Sequence, residues 1–135
     1  MEKYGLYDAI EMIDEVVRGH ESHVYKKHSG SGLSCHYAWD GQPDCIVGHV
    51  LVKVGVTVES LEYGESREVT PGKYAMGDAS EVLELLRKDG IVEFDDDAQM
   101  YLTRVQYHQD DETPWGEAAK LGREYVRGMI AGRRS

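Results

Sequence analysis

Residues 40–56 read Asp40-Gly41-Gln42-Pro43-Asp44-Cys45-Ile46-Val47-Gly48-His49-Val50-Leu51-Val52-Lys53-Val54-Gly55-Val56, and this stretch decides how the rest of the chain is organised. Its first five residues are dense turn chemistry, with Asp44 suited to cap a helix that begins at Cys45. Over the run to about Val54, Ile46, Val47, Val50, Leu51 and Val54 form one stripe at helical spacing, while Cys45, His49 and Val52 fall on the opposite side. A helix that is apolar nearly all round is a buried one. The segment is therefore expected at the centre of the domain, ended by Gly55.

Working outward, residues 4–19 place Leu6, Ala9, Ile10, Ile13, Val16 and Val17 on one face of an amphipathic first helix, with Glu11, Asp14, Glu15 and Arg18 on its wet side. Short runs at His23–Lys27 and Ser34–Trp39, joined through Ser29-Gly30-Ser31-Gly32, predict a small β-hairpin over 23–39 lying on the central helix. Downstream, Thr57–Tyr63 suits a short helical turn, and the aperiodic 64–77 reads as an exposed loop. Asp78 with Glu81 starts a further helix, and Asp95-Asp96-Asp97 leads into another. Thr113-Pro114 opens the last, whose apolar residues are Trp115, Ala118, Ala119, Leu121, Tyr125, Val126, Met129 and Ile130. The expected fold is mainly α, a single domain over 1–135 with about four main helices and that hairpin packed on a buried central helix.

Composition bounds the function. Lys plus Arg is 15 and Asp plus Glu is 25 in 135 residues, a formal charge of −10, which disfavours direct nucleic-acid binding because a phosphate-tracking surface needs clustered cations. Hydrophobic residues are 41% of the chain, enough for a core. No basic segment runs into an apolar one at the start, and no stretch approaches the roughly 18 apolar residues of a membrane span. A soluble, cytoplasmic protein without membrane contact is the expectation, and its two cysteines are expected as thiols or ligands.

The densest group of chemically capable residues is Cys35, His36, Cys45 and His49. Zinc takes such ligands, but structural zinc sites pair their cysteines at closer spacing than Cys35 and Cys45, so packed thiols are the simpler reading and neither a metal nor another cofactor is expected. Cys45 at a helix start with His49 one turn on would suit an activated thiol, although the burial expected of this helix opposes access. His20, His23 and His28 read as surface histidines. The acidic runs Asp95–Asp97 and Asp110–Glu112 offer hard oxygen ligands, yet both sit where helix N-termini favour negative charge. Arg123, Arg127, Arg133 and Arg134 read as balance for the last helix's C-terminal dipole. The phosphate-loop, dinucleotide, nucleophile-elbow and zincin motifs are all missing.

Val24-Tyr25, Cys35-x-Tyr37, Gly41-x-Pro43-x-Cys45-Ile46-Val47-Gly48-His49-x-Leu51, Gly55-Val56, Gln106-x-x-Gln109-Asp110 and Trp115-Gly116-x-Ala118 together resemble small uncharacterised proteins of actinobacteriophages and of their actinobacterial hosts. The resemblance spans about residues 6–56 and 98–119. It implies a setting, the cytoplasm of an actinobacterial host, and no transferable activity.

The function expected is thus a non-enzymatic binding module that modulates a host or phage protein through an acidic surface. The alternative is a zinc-binding or thiol-dependent enzyme using Cys35, Cys45 and His49. The apolar residues of the last helix further suggest a homodimer with 114–131 in the contact.

Overall fold

In a computed structural model, which describes residues 2–26, 28, 36–66, 68–70, 73–74 and 78–134, the amphipathic N-terminal segment folds as helix α1 (Leu6–Val17). Ala9, Ile13 and Val17 are its buried stripe, and the Asp8 carboxylate accepts the Gly5 backbone N–H at 2.9 Å to close its first turn. Ahead of it, strand β1 (Glu2–Tyr4) pairs in parallel with β6 (Val92–Phe94), Tyr4 opposite Phe94. This pairing joins the N-terminus to the middle of the chain.

The central segment is helix α2 (Ile46–Lys53), with Ile46, Val47, Gly48, Val50 and Leu51 all buried. Behind it follow α3 (Val58–Ser66), the short strands β4 (Glu68–Thr70) and β5 (Lys73–Tyr74), and α4 (Ala79–Lys88). Asp78 caps α4 by accepting the Glu81 N–H at 3.0 Å. After β6, Asp95 caps α5 (Asp96–Asp110) through the Ala98 N–H at 2.8 Å, and α6 (Trp115–Arg134) closes the chain. The protein is mainly α, and four of its helices, α1, α4, α5 and α6, have ten or more residues.

The small antiparallel hairpin is present but sits later than expected. It joins β2 (Ala38–Trp39) to β3 (Gln42–Pro43) through Asp40 and Gly41, both at positive φ, which is the tight turn an Asp-Gly pair favours. His23–Lys26, the arm assigned to a hairpin over 23–39, forms no strand; residues 27 and 29–35 of that span lie outside the described residues. The main-chain carbonyl of His23, with that of Glu21 just before it, is used elsewhere, accepting from the free N–H groups at the start of α6: Trp115 N–H to His23 at 2.9 Å and Gly116 N–H to Glu21 at 2.9 Å. A β-rich local composition lost here to the demand of a buried helix end.

One apolar core, running from Ala9 to Val126, is formed by α1, α2, α4, α5 and α6 together with Phe94 and Leu61. The apolar face of α6 divides. Trp115, Ala118, Ala119 and Val126 are buried in the chain's own core, whereas Tyr125 and Met129 remain exposed. Among the described residues no helix is long and apolar enough to cross a membrane.

Candidate functional site: a histidine-lined cleft beside the buried helix

The start of α2 is inside the protein, so its free N–H groups need partners other than water. Asp44 does not supply them, contrary to the sequence expectation. Cys45 is the capping residue, its Sγ accepting the Gly48 N–H at 3.4 Å. Gln109 Oε1 accepts the Ile46 N–H at 2.8 Å, and Gln106 Oε1 accepts that of Val47 at 3.2 Å. Both glutamines are buried on α5, and Asp110 Oδ1 orients Gln109 by accepting from its Nε2 at 2.8 Å. Two amides with no local sequence signal of this role therefore complete the helix cap from about sixty residues away.

Freed from that role, Asp44 turns outward. Its Oδ2 accepts the Tyr25 hydroxyl at 2.6 Å and lies 2.7 Å from His28 Nε2. Tyr25 in turn accepts the His36 backbone N–H at 2.9 Å. Burial first, then the hydrogen bond to the Asp44 carboxylate, drives the Tyr25 phenol well above its ordinary pKa. The His28 ring stacks on Trp39 with centroids 4.0 Å apart, and His36 meets the same indole edge-on at 4.6 Å. No periodicity or motif signals this Tyr25–His28–Asp44 group, because its members come from separate segments.

Next to it lies a cleft of about 540 Å³ between the end of α1, residues 20–23, the Pro43–Asp44 corner, α2 and the start of α6. Trp115 is its buried wall. His23 meets the indole edge-on at 4.6 Å and His49 at 5.6 Å, and the indole Nε1 is buried without a hydrogen-bond partner among the described residues. Burial, opposed by the Asp44 charge and aided by His20 and His23, lowers the His49 pKa. At the rim, Lys53 Nζ holds Glu15 Oε2 at 2.5 Å, which with the lysine charge lowers the Glu15 pKa. Arg18 and His20 complete the lining.

Of the residues singled out in the sequence, Cys45 is 0% exposed and bonded into its cap, so its thiol does not face the cleft. His49 does line the cleft, but its ring is turned to Trp115 and not committed to the thiol. Cys35 lies outside the described residues. Among the described residues, no three Cys, His, Asp or Glu side chains converge as a metal-ligand set. Of the acidic runs, Asp95 caps α5 as expected, while Asp97 pairs with Arg133 at 2.6 Å. Asp111 ends α5 instead of starting a helix. Arg123 pairs with Asp14 at 3.1 Å, tying α6 to α1. The cleft supplies imidazoles, two cations and an indole wall, which is equipment for recognition. No protein-family model, curated protein or solved structure matches the chain.

Proposed function

We propose that this is a non-enzymatic binding module of phage type, acting in the cytoplasm of an actinobacterial host, and that an acidic segment of a host or phage protein seats in the cleft walled by Trp115. The cleft's local charge carries this reading. Glu15 is occupied by Lys53 and Asp44 by Tyr25 and His28, which leaves Arg18, His20, His23 and His49 to face a partner. In a chain of net charge −10 the formal charges of this lining balance, Arg18 and Lys53 against Glu15 and Asp44, so a carboxylate meets less repulsion here than the chain's net charge would impose and finds imidazole N–H donors, and complementary charge sets partner choice and encounter rate. The acidic remainder disfavours nucleic acid as the partner.

The test is affinity capture from actinobacterial lysate at low salt, comparing the wild type with an Arg18→Glu, His23→Glu variant. A protein retained by the wild type and weakened at least about tenfold by the charge reversal supports the reading. Recovery of no partner, or equal recovery by both baits, refutes it. Self-association through Tyr125 and Met129, the exposed apolar residues of α6, belongs to the same reading. Light scattering should then give twice 15.2 kDa, reduced by Met129→Glu. An enzyme built on Cys35, Cys45 and His49 would replace the binding reading if the purified protein held stoichiometric zinc or if one thiol reacted far faster than free cysteine near neutral pH.

A further inference from the structure

On the opposite side of α5, a pocket of about 380 Å³ opens between α5, α6 and the start of α4. This is within the range of small-ligand sites. Met100, Tyr107 and Tyr125 give it an apolar and aromatic wall, and Arg104 stands among them. The Arg104 Cζ lies 4.6 Å from the Tyr107 ring centroid and 4.3 Å from that of Tyr125. Aromatic faces attract a guanidinium but do not satisfy its five N–H donors as a carboxylate does. Among the described residues the other partly buried basic side chains are matched, Arg87 with Glu84 and Arg123 with Asp14. Arg104 has neither an ion pair nor a hydrogen bond among the described residues, although it is half-buried and the chain has ten more acids than bases. Its Nε and the neighbouring Thr103 Oγ1 are buried without partners. A half-buried charge left unpaired in so acidic a protein is costly unless a ligand supplies the counter-charge.

We infer that this pocket binds a small monocarboxylate with a flat apolar body, the carboxylate meeting the outer edge of Arg104 and the body lying against Met100, Tyr107 and Tyr125. The guanidinium fork matches a carboxylate with two parallel hydrogen bonds. Asp96, with its side chain 93% exposed at the pocket's rim and only 3.6 Å from Arg87, adds a negative charge that a monoanion tolerates better than a phosphate dianion. This site is separate from the Trp115 cleft and does not depend on the function proposed for it.

Benzoate is the probe, with benzyl alcohol as its neutral counterpart and phenyl phosphate as the dianion, each titrated by calorimetry and by amide chemical-shift mapping of the full chain. Benzoate should bind saturably, with a Kd on the order of 1 mM or below, and shift amides of α5 and α6 around Arg104. Benzyl alcohol and phenyl phosphate should each bind at least about tenfold more weakly, as should benzoate to Arg104→Lys, which keeps the charge and loses the fork. Tyr107→Leu, at a position 56% exposed, should weaken benzoate with no change in thermal unfolding, so the proposal stays testable if the arginine variant folds poorly. Absence of saturable binding, equal binding of benzyl alcohol, unchanged affinity in both variants, or shifts confined to the Trp115 cleft would each overturn it.

Discussion

Gln109 Oε1 accepts the backbone N–H of Ile46 at 2.8 Å, a bond between residues 63 positions apart that lies wholly inside the protein. It makes the burial of α2 tolerable. A helix start moved out of water leaves N–H groups that each need an acceptor, and here Cys45, Gln106 and Gln109 divide that duty. Gln109→Leu keeps the volume and removes the acceptor, so it should cost about 1–3 kcal/mol in urea unfolding. Gln106→Leu, whose bond is longer, should cost less, and the two losses should not add, because both act on one helix end.

Steric demand separates the glycines. A Cβ on Gly48 would stand 1.9 Å from the Tyr37 carbonyl oxygen, which is backbone and cannot swing aside. Gly48→Ala should therefore cost about 3 kcal/mol or more. At Gly122 the nearest atom is a Val105 methyl at 2.5 Å, a side chain able to adjust, so its alanine variant should lose less. Nothing stands within 4 Å at Gly128 in the exposed part of α6, where alanine should instead add about 0.5–1 kcal/mol through helix propensity. Thermal unfolding of the three variants checks the order.

His49 predicts a pH dependence with a definite sign. Its folded pKa lies below the ordinary value of 6.5, chiefly through burial, with His20 and His23 adding to the shift and Asp44 opposing it. Between the folded and unfolded pKa the unfolded chain carries the extra proton, so stability is full above the unfolded value and falls as pH drops through the window beneath it. His108 is lowered in the same direction, by burial and then by Arg104. Denaturant midpoints taken from neutral to mildly acid pH should decline, and His49→Gln should flatten that decline; an unchanged slope would place the dependence elsewhere.

Replacing Arg104 by Gln removes the charge that helps hold His108 down. The His108 pKa should then rise toward its ordinary value without reaching it, because burial is the larger cause. An NMR titration of the imidazole measures this directly and also verifies that Arg104 stands where the carboxylate pocket requires it.

Cys45 should be inert in the native protein. With its side chain wholly buried and its sulfur accepting from Gly48, alkylation at this position should require unfolding. Peptide mass spectrometry after iodoacetamide treatment, with and without urea, should find Cys45 modified only in the denatured sample. Prompt native labelling would restore the case for a reactive thiol.

Much of this molecule follows from residues near one another in the chain. The 3.6-residue spacing of apolar side chains marks α1, α2, α4, α5 and α6, and local carboxylates at Asp78 and Asp95 start two of those helices as expected, because a helix and its cap are settled within one turn. The largely buried character of α2 is equally local, since a helix apolar nearly all round has nowhere else to go. Tertiary structure decided what such burial then required. Asp44 is well suited as a cap by sequence, yet Cys45, Gln106 and Gln109 take that role, because packing α5 against α2 brings the two amides to within 3.2 Å of the helix start and leaves the carboxylate for Tyr25 and His28. His23–Lys26 has strand-like residues, but the His23 carbonyl, like that of Glu21 before it, is drawn to the start of α6. The Trp115 cleft and the unpaired Arg104 arise in the same way. Hydrogen bonds and ring contacts between distant segments have no periodicity for a sequence to display, and they exist only once packing has fixed which buried groups lack water.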